Sequence, residues 1–220
     1  MRATFVILIG VLAFFALQVA ISGFTEAFLL DSSELAIRPW TIITAMFLHG
    51  DVTHLAYNML ALVMFGLVLE GIIGTKRFWA LYFAGGIVAG IVAALFYPAS
   101  LGASGAIFAV LGALAVLRPR MTVWVGYFPM PMAAAALVWV AIDLVGLIAP
   151  SDIANAAHIG GLVFGVSAGF ALRGRFGQPF RRQKARRVLS ERDIERWEDG
   201  WVRRAAANSS QASAIGYLQN

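Results

Sequence analysis

A serine and a histidine in this sequence have the types and surroundings that suit acyl-transfer chemistry. Ser104 lies between Gly102 and Gly105 at the start of the apolar stretch LGASGAIFAVLGAL, and His158 opens a second apolar stretch. A serine hydroxyl is a weak nucleophile until a base accepts its proton. A neutral imidazole can accept that proton near pH 7 and later return it to a leaving amine. The pattern therefore predicts Ser104 as a nucleophile and His158 as its general base.

A second group of polar side chains lies in the motif HGDVTHLAYN. His54 and Asn58 are four residues apart, so they share one face of a helix, and both can donate hydrogen bonds to a developing negative charge. The backbone N–H groups that open the helix at Ser104 are unsatisfied donors as well. We expect these groups to form an oxyanion hole. The alternative is that His49 and His54 are headgroup-level residues that face water.

The composition places these residues in a membrane. Hydrophobic residues make up 60% of the 220-residue chain, charged residues 13%, and the mean hydropathy is +0.78, whereas a soluble fold carries about 25% charged residues. The basic residues crowd between Arg173 and Arg204, beside the last apolar segment, which favours anionic lipid over nucleic acid as their partner. The chain has no cysteine, which excludes disulfides and cysteine-based metal sites.

Six apolar segments predict an all-α bundle of six transmembrane helices. The fourth has about 14 residues, or ~21 Å of helix, which is too short for the ~30 Å hydrocarbon core. One of its ends must therefore lie inside the membrane, covered by protein or reached by water. The first is read as a retained helix, because no small-residue cleavage site ends it. The segments run approximately over Thr4–Ile21, His54–Leu69, Phe78–Phe96, Ser104–Leu117, Met130–Ile148 and Asn155–Leu172.

Lysine and arginine positions predict the orientation. If the six helices alternate, every basic loop falls on one side and only Arg38 on the other. For a protein of the cell membrane, the positive-inside rule then places both termini in the cytoplasm. Ser104 is then expected to lie below the outer surface of the membrane. The outer loop Ser22–Thr53 is expected to lie partly in the interface.

The chain divides into a membrane domain, 1–172, and a basic tail, 173–220. An amphipathic helix is expected at about 190–204, with a capping box of Ser190 and Asp193 and an apolar face of Ile194, Trp197 and Trp201.

Two stripes of small residues predict how the serine and the histidine meet. Residues at every fourth position let two helix backbones approach closely. Ser104 adjoins one stripe and His158 precedes the other by three residues, so a tight crossing brings hydroxyl and imidazole within hydrogen-bond reach. The alternative is that the glycines serve packing alone. The stripes are Gly105, Ala109 and Ala113 in the fourth segment, and Gly161, Gly165 and Gly169 in the sixth.

The stretches GASGAIFAVLGAL, AMFLHGDVTHLAYNMLAL and NAAHIGGLVFG resemble the three signature regions of the rhomboid family of intramembrane serine proteases, over about Trp40–Gly169. The resemblance implies the prokaryotic six-helix core and a catalytic dyad with no acidic third member. In it, Ser104 and His158 match the dyad. His54, Asn58 and the Ser104 backbone N–H match the oxyanion-stabilising groups, and His49 matches a histidine that helps to order the first outer loop.

Other residues take their expected roles from the same resemblance. Glu70 begins a turn motif and is expected to be structural, bonding backbone N–H groups of that turn. Phe108 stands where some members have a tyrosine and can still pack against His158. Trp40-Thr41 replaces a Trp-Arg pair of some members, which leaves the anchoring of the first loop open.

The implied substrates are single-span membrane proteins cut near their outer end, at small or helix-destabilising residues. The loop Tyr97–Ala103 is expected to pair with unwound substrate. Substrate is expected to pass the fifth helix, under a cap formed by 150–154. No cofactor and no metal are expected.

Two polar residues near the outer ends of the last helices are interpreted as structural. Asp143 invites comparison with the acidic member of a triad, yet a structural or solvated carboxylate bonded to backbone or water is the preferred interpretation. Asn155 is expected to cap the sixth helix. Two other functions stay open: a catalytically silent rhomboid-like scaffold or quality-control protein, and a metal or ion transporter that uses the three histidines. No carboxylate or cysteine accompanies those histidines at a metal-ligand spacing, and Ser104 and His158 are both intact.

Overall fold

The computed structural model describes residues 2–149, 153–177 and 195–201. The chain divides into two units, Met1–Gln178 and Pro179–Asn220. Six long helices dominate the described part of the first unit, and the strands there form two short pairs. The predicted all-α membrane bundle is confirmed. The helices are α1 (Ala3–Ala20), α2 (Val52–Ile73), α3 (Thr75–Phe96), α4 (Ser104–Leu117), α5 (Met132–Ile148) and α6 (Asn155–Phe176).

The helices differ in length and in burial. Four of them, α1, α2, α3 and α6, are long and apolar enough to cross a membrane. Helices α4 and α5 have 14 and 17 residues, about 21 and 26 Å at 1.5 Å per residue. Ten of the 14 residues of α4 are buried, so neighbouring helices rather than lipid surround its backbone, as a short intramembrane helix requires. Helix α4 is therefore the centre of the bundle.

Helices α4 and α6 touch through their backbones. A side chain on Gly161 would overlap the carbonyl oxygen of Gly105, and one on Gly165 would overlap that of Ala109. In the opposite direction, a side chain on Gly112 would overlap the carbonyl oxygen of Leu162. The two predicted stripes of small residues thus face each other. Such a crossing gains dispersion contacts along its whole length, which is the main attraction available between helices in lipid.

The segment between α1 and α2 folds back over the bundle. It contains the short helices Phe24–Phe28 and Thr41–Thr44 and the 3-10 turn Ala45–Phe47. Its strand β1 (Leu30–Asp31) pairs antiparallel with β2 (Ala99–Ser100), which lies just before α4. The loop Tyr97–Ala103, which was expected to pair with substrate, therefore already pairs along one strand edge with the segment between α1 and α2.

A second antiparallel pair joins α4 to α5. Strands β3 (Thr122–Val125) and β4 (Phe128–Pro131) form a hairpin whose turn contains Gly126 at φ +61°. The side chain of Val123 is buried beneath this hairpin. The hairpin thus closes the end of the bundle opposite the first turn of α4.

Glu70 fastens three helices together at that same end. Its carboxylate accepts the backbone N–H groups of Ala3 at 2.8 Å and Thr4 at 3.0 Å, and the hydroxyls of Thr4 and Thr75 at 2.7 Å each. The expected partners were the N–H groups of the turn that follows Glu70, and that expectation was wrong. The carboxylate instead satisfies the first N–H groups of α1, which have no acceptor within their own helix.

Basic residues also gather at the Glu70 end. Arg118 donates to the carbonyl oxygen of Phe176 at 2.8 Å, at the end of α6, and Arg77 lies 5.2 Å over the ring of Phe176. One end of the bundle thus holds Arg77 at the start of α3, Arg118 after α4 and the last turn of α6, as alternating helices require. The placement of that end in the cytoplasm stays a prediction from the positive-inside rule.

Of the second unit, residues 195–201 are described and are helical. They fall within the helix expected at 190–204, and Trp197 and Trp201 are 66% and 61% exposed. The rest of that expectation, including Ser190, Asp193 and Ile194, lies outside the described residues. Residues 150–152 of the expected cap lie outside them as well.

Candidate active site

Ser104 and His158 meet at the N-terminal ends of α4 and α6. Ser104 is the first residue of α4, and His158 lies in the first turn of α6. The Oγ of Ser104 is 2.8 Å from Nε2 of His158, and both residues are partly buried. One step deeper in the crossing, Gly161 sits against the Gly105 carbonyl. The backbone contact of the two helices thus sets the distance between hydroxyl and imidazole.

The second ring nitrogen of His158 contacts a carboxylate. Its Nδ1 is 3.0 Å from Oδ1 of Asp143, and the two side chains are 12% and 5% exposed. Asp143 was expected to be solvated, or bonded to backbone or water. That expectation was wrong, because the carboxylate is buried and contacts the imidazole of His158. The signal available in the sequence was that Asp143 is the single charged residue of the apolar fifth segment.

Phe108 holds the ring of His158 from one face. The two rings are stacked with centroids 4.3 Å apart and planes 10° apart. Phe108 lies one turn after Ser104 on α4, so the helix that carries the hydroxyl also orients the imidazole. With Ser104 and Asp143 at its two nitrogens, the ring is constrained in three directions.

Gly102 brings the ring of His54 against the chain just before Ser104. Gly102 has φ +124°, and a Cβ there would lie 2.9 and 3.0 Å from Cε1 and Nε2 of His54 and 3.8 Å from Oγ of Ser104. The N–H of Gly102 donates to the carbonyl oxygen of Ala45 at 2.9 Å, which holds the loop in place. The Nε2 edge of His54 thus lies beside the nucleophile.

Asp51 and Asn58 hold the helix that carries His54. The Asp51 carboxylate caps α2 by accepting the His54 N–H at 2.8 Å. The side-chain nitrogen of Asn58 donates to the carbonyl oxygen of His54 at 2.9 Å. One of the two amide hydrogens of Asn58 is therefore committed to its own helix, which leaves one for any oxyanion.

His49 is buried behind this arrangement and does not face water. It is 1% exposed, and neither ring nitrogen has a hydrogen-bond partner among the described residues. Burial, and secondarily the neighbouring His54, lowers the pKa of His49 to about 4, so its ring is neutral near pH 7. The ring lies edge-on to that of His54 with centroids 4.9 Å apart. The burial of His49 thus contradicts the alternative in which its side chain faces water.

Comparison with known proteins decides the family. The sequence model of the Rhomboid domain matches residues 37–175. The chain belongs to the rhomboid family. It is 39% identical over 137 residues to Rhomboid protease GluP of Bacillus subtilis, covering 60% of this chain and 26% of that protein. The same identity and length relate it to RHOMBOID-like protein 6, mitochondrial, of Arabidopsis thaliana, at 60% and 43% coverage.

A third relative extends the match slightly. Rhomboid protein 1, mitochondrial, of Saccharomyces cerevisiae is 35% identical over 159 residues, 67% of this chain and 46% of that protein. The chain thus spans a quarter to half the length of these curated relatives. The rhomboid match contains every predicted site residue from His49 to Gly165, whereas all of α1 lies before it.

Two supporting residues of this rhomboid protein escaped the sequence analysis. Gln18 of α1 accepts the His49 N–H at 3.0 Å and donates to the His49 carbonyl oxygen at 3.2 Å. The hydroxyl oxygen of Tyr97 accepts the Ala156 N–H at 3.0 Å, in the first turn of α6. Asn155 was expected to cap this helix, but α6 begins at Asn155, Ala154 is its N-cap residue, and the Asn155 amide donates to the Ile153 carbonyl oxygen. Lone polar residues in apolar segments were the signal for Gln18.

A small cavity adjoins the nucleophile in this rhomboid core. Its volume is about 40 Å³, which is room for very few atoms beyond a water molecule. Its lining is largely apolar. It includes two alanines, two glycines and two larger apolar residues, namely Ala89, Ala157, Gly86, Gly90, Met46 and Ile42. Any side chain that enters it must be small.

Proposed function

We propose that this rhomboid protein is an intramembrane serine endopeptidase in which Ser104 is the nucleophile and His158 the general base. The observation that carries the proposal is the 2.8 Å contact between Oγ of Ser104 and Nε2 of His158. A nucleophile and a base within that distance, with the base held by a third group, is the arrangement that activates a serine.

The reaction proceeds in two halves. Oγ of Ser104 forms a bond to the scissile carbonyl carbon while its proton passes to Nε2 of His158, and the carbonyl oxygen becomes an oxyanion. The C–N bond then breaks, and the proton on Nε2 passes to the leaving amine, which leaves an acyl-enzyme on Ser104. A water molecule next attacks the acyl carbon, its proton passes to Nε2, and collapse returns that proton to Oγ as the carboxylic acid leaves.

Three kinds of donor support the oxyanion. The first N–H groups of α4, including that of Ser104, have no acceptor within their own helix. Nε2 of His54 lies over Gly102, on the same side as Oγ of Ser104. The remaining amide hydrogen of Asn58 is the third candidate. Removal of one such donor in a serine protease costs about 3–4 kcal/mol of transition-state stabilisation.

The substrates proposed are transmembrane segments of single-span proteins, cut near their outer end. The catalytic pair lies at the end of the bundle opposite Glu70 and the basic residues, so the positive-inside rule puts it toward the outer side of the cell membrane, with both termini cytoplasmic. The 40 Å³ cavity beside Ser104 favours a small residue at the cut. A related bacterial protein is named a protease, whereas two relatives carry a mitochondrial name, so reporter fusions at each terminus are needed to test the location and orientation.

The decisive experiment compares purified wild type with Ser104→Ala and His158→Ala on a model single-span substrate in detergent. Ser167→Ala is the matched control, because the Ser167 hydroxyl donates to Val163 within α6, at an exposed position. We expect cleavage by wild type and the control, and none by the two dyad variants. A serine-directed fluorophosphonate should label wild type and the control but not Ser104→Ala.

Two outcomes would overturn the proposal. Cleavage that persists in both dyad variants would remove the dyad. Wild-type protein that is folded, yet neither cleaves a panel of single-span substrates nor reacts with fluorophosphonate, would identify a catalytically silent scaffold.

A further inference from the structure

The dyad mechanism makes no use of Asp143, yet this charged residue is one of the few buried residues of helix α5. The buried residues of that helix are Met132, Ala135, Ala136 and Asp143. From Leu137 to the end of the helix, Asp143 is thus the single buried side chain, among apolar neighbours that face outward. A carboxylate would ordinarily be exposed and its apolar neighbours buried, since a carboxylate is among the side chains least often buried without a partner. A specific partner must therefore hold it inside.

That partner is the imidazole of His158. Oδ1 of Asp143 is 3.0 Å from Nδ1, and Oδ2 is buried with no hydrogen-bond partner among the described residues. An ionised carboxylate is strongly disfavoured in such surroundings unless a donor faces it. Among the described residues, the Asp143 carboxylate has one hydrogen-bond partner, Nδ1 of His158.

The chain Asp143–His158–Ser104 has two proton arrangements. In the first, the carboxylate is ionised, Nδ1 carries the ring proton, and the lone pair of Nε2 faces the Ser104 hydroxyl. In the second, a protonated Asp143 donates to Nδ1, and Nε2–H donates to Oγ of Ser104. Only the first arrangement leaves Nε2 free to accept the serine proton. The first also places a negative charge beside the imidazolium that forms when the proton moves.

We propose that Asp143 is a positioning residue whose carboxylate holds His158 as the Nδ1–H tautomer and stabilises its imidazolium during acyl transfer. The proposal rests on the proposed function, and it departs from the dyad without an acidic member that the family resemblance implies. The contact with Ser104 supports it, because a ring flip that turned Nδ1 away from Asp143 would also turn Nε2 away from Oγ of Ser104.

The first test needs no substitution at Asp143 and no measurement of activity. The chain has three histidines, so ¹⁵N-labelled imidazoles in lipid nanodiscs give few signals, and His158→Gln assigns those of His158. At a pH where the ring is neutral, we expect a protonated Nδ1 and an unprotonated Nε2. The opposite tautomer would overturn the proposal while leaving the dyad intact.

The second test is kinetic. Asp143→Asn keeps the shape and removes the charge, and Asp143→Ala removes the acceptor. Val145→Ala is the matched control, on an exposed face of the same helix. We expect both Asp143 variants to lose at least about 10-fold in kcat, toward the ~10⁴-fold loss seen when the triad aspartate of a soluble protease becomes asparagine. KM and the unfolding midpoint should stay close to those of the control, and Asp143→Glu should recover part of kcat.

The outcomes separate the two proposals. Ser104→Ala as active as wild type would remove the proposed function. If Ser104→Ala is inactive while Asp143→Asn and Asp143→Ala match Val145→Ala in kcat, the positioning role alone falls. A rise in KM at unchanged kcat would also overturn it, since that pattern indicates altered substrate binding. Should the Asp143 variants fail to fold, the tautomer measured in wild type decides.

Discussion

The α4–α6 pair and helix α5 are built into the bundle in opposite ways. Helices α4 and α6 touch backbone to backbone at Gly105, Gly161 and Gly165, and most of α4 is buried. Helix α5 has only four buried residues of 17, and one of them is the charged Asp143. The candidate nucleophile and base thus lie on the tightly packed pair, while the carboxylate behind the base lies on a peripheral helix.

This difference separates two ways of supporting one site. Contacts between backbones have no side chain that can rotate away, so the distance between Ser104 and His158 is held rigidly. The contact of Asp143 depends on how a loosely packed helix sits against α6. We therefore expect glycine substitutions that separate α4 from α6 to reduce activity strongly, and glycine substitutions that only shift α5 to reduce it less.

The largest effect is expected from Gly161→Ala. The added methyl group overlaps the carbonyl oxygen of Gly105, so the helices must move apart, and a shift of about 1 Å at a catalytic pair can cost ~100-fold in rate. We expect at least that loss in kcat and about 1–3 kcal/mol in stability.

The matched control for that variant is Gly174→Ala on the same helix. No neighbouring atom lies within 4 Å of its added methyl group, and alanine is favoured over glycine in a helix by about 1 kcal/mol. The control should be as active and at least as stable as wild type. Wild-type kcat in Gly161→Ala would show that the crossing does not set the Ser104–His158 distance.

Gly102→Ala should have the next largest effect. The added Cβ meets the ring of His54 within 3.0 Å, so His54 must leave its position beside the nucleophile. We expect kcat to fall by about 10²–10³-fold, as for loss of an oxyanion donor, with little change in KM.

Gly126→Ala controls for backbone strain in that experiment. Gly126 also has positive φ, at +61°, but nothing lies within 4 Å of the added methyl group. Equal losses of kcat in Gly102→Ala and Gly126→Ala would mean that strain, and not the displacement of His54, is responsible.

A smaller effect is expected from Gly146→Ala on α5. The added methyl group meets the side-chain amide of Asn155 at 2.5–2.6 Å, three residues beyond Asp143. Because α5 is loosely packed, it can shift to accommodate the methyl group, and we expect kcat to fall by about 10-fold. Steady-state measurement of kcat for Gly146→Ala and Gly161→Ala side by side tests whether the loss is smaller in the former. A loss equal to that of Gly161→Ala would erase the distinction between the two regions.

The smallest effect concerns pH and the buried His49. An unfolded histidine binds a proton below pH ~6.5, whereas burial lowers the pKa of His49 in the folded protein to about 4. The unfolded state therefore binds more protons between these values, and the stability present above pH ~6.5 is lost as the pH falls toward 4. Unfolding midpoints measured across this range should fall less in His49→Gln than in wild type. If the unfolding midpoint depended on pH equally in wild type and His49→Gln, His49 would not be the source of the pH dependence.

Local features of the chain predicted much of the candidate site. Ser104 and His158 lie beside stripes of small residues, and those stripes reveal the facing sides of two helices that are otherwise apolar all round. His54 and Asn58 share a helix face because of their spacing, which requires no tertiary information. The partners of Asp143 and Glu70 were not predictable in this way. Each is the single charged residue of its helix, so no neighbouring charge in the sequence indicates which partner it meets.

The sequence by itself determined a multi-pass helical membrane protein, its short central helix, and the residue types of a serine-based site, since composition and spacing along the chain carry that information. Tertiary structure alone decided that Asp143 faces His158, that Glu70 holds the start of α1, that Gln18 holds His49, and that β1 pairs with β2. The physical reason is that a helix apolar on every side has no polar face to set its rotation. Packing against neighbouring backbones sets that rotation, and with it the contacts of each polar side chain.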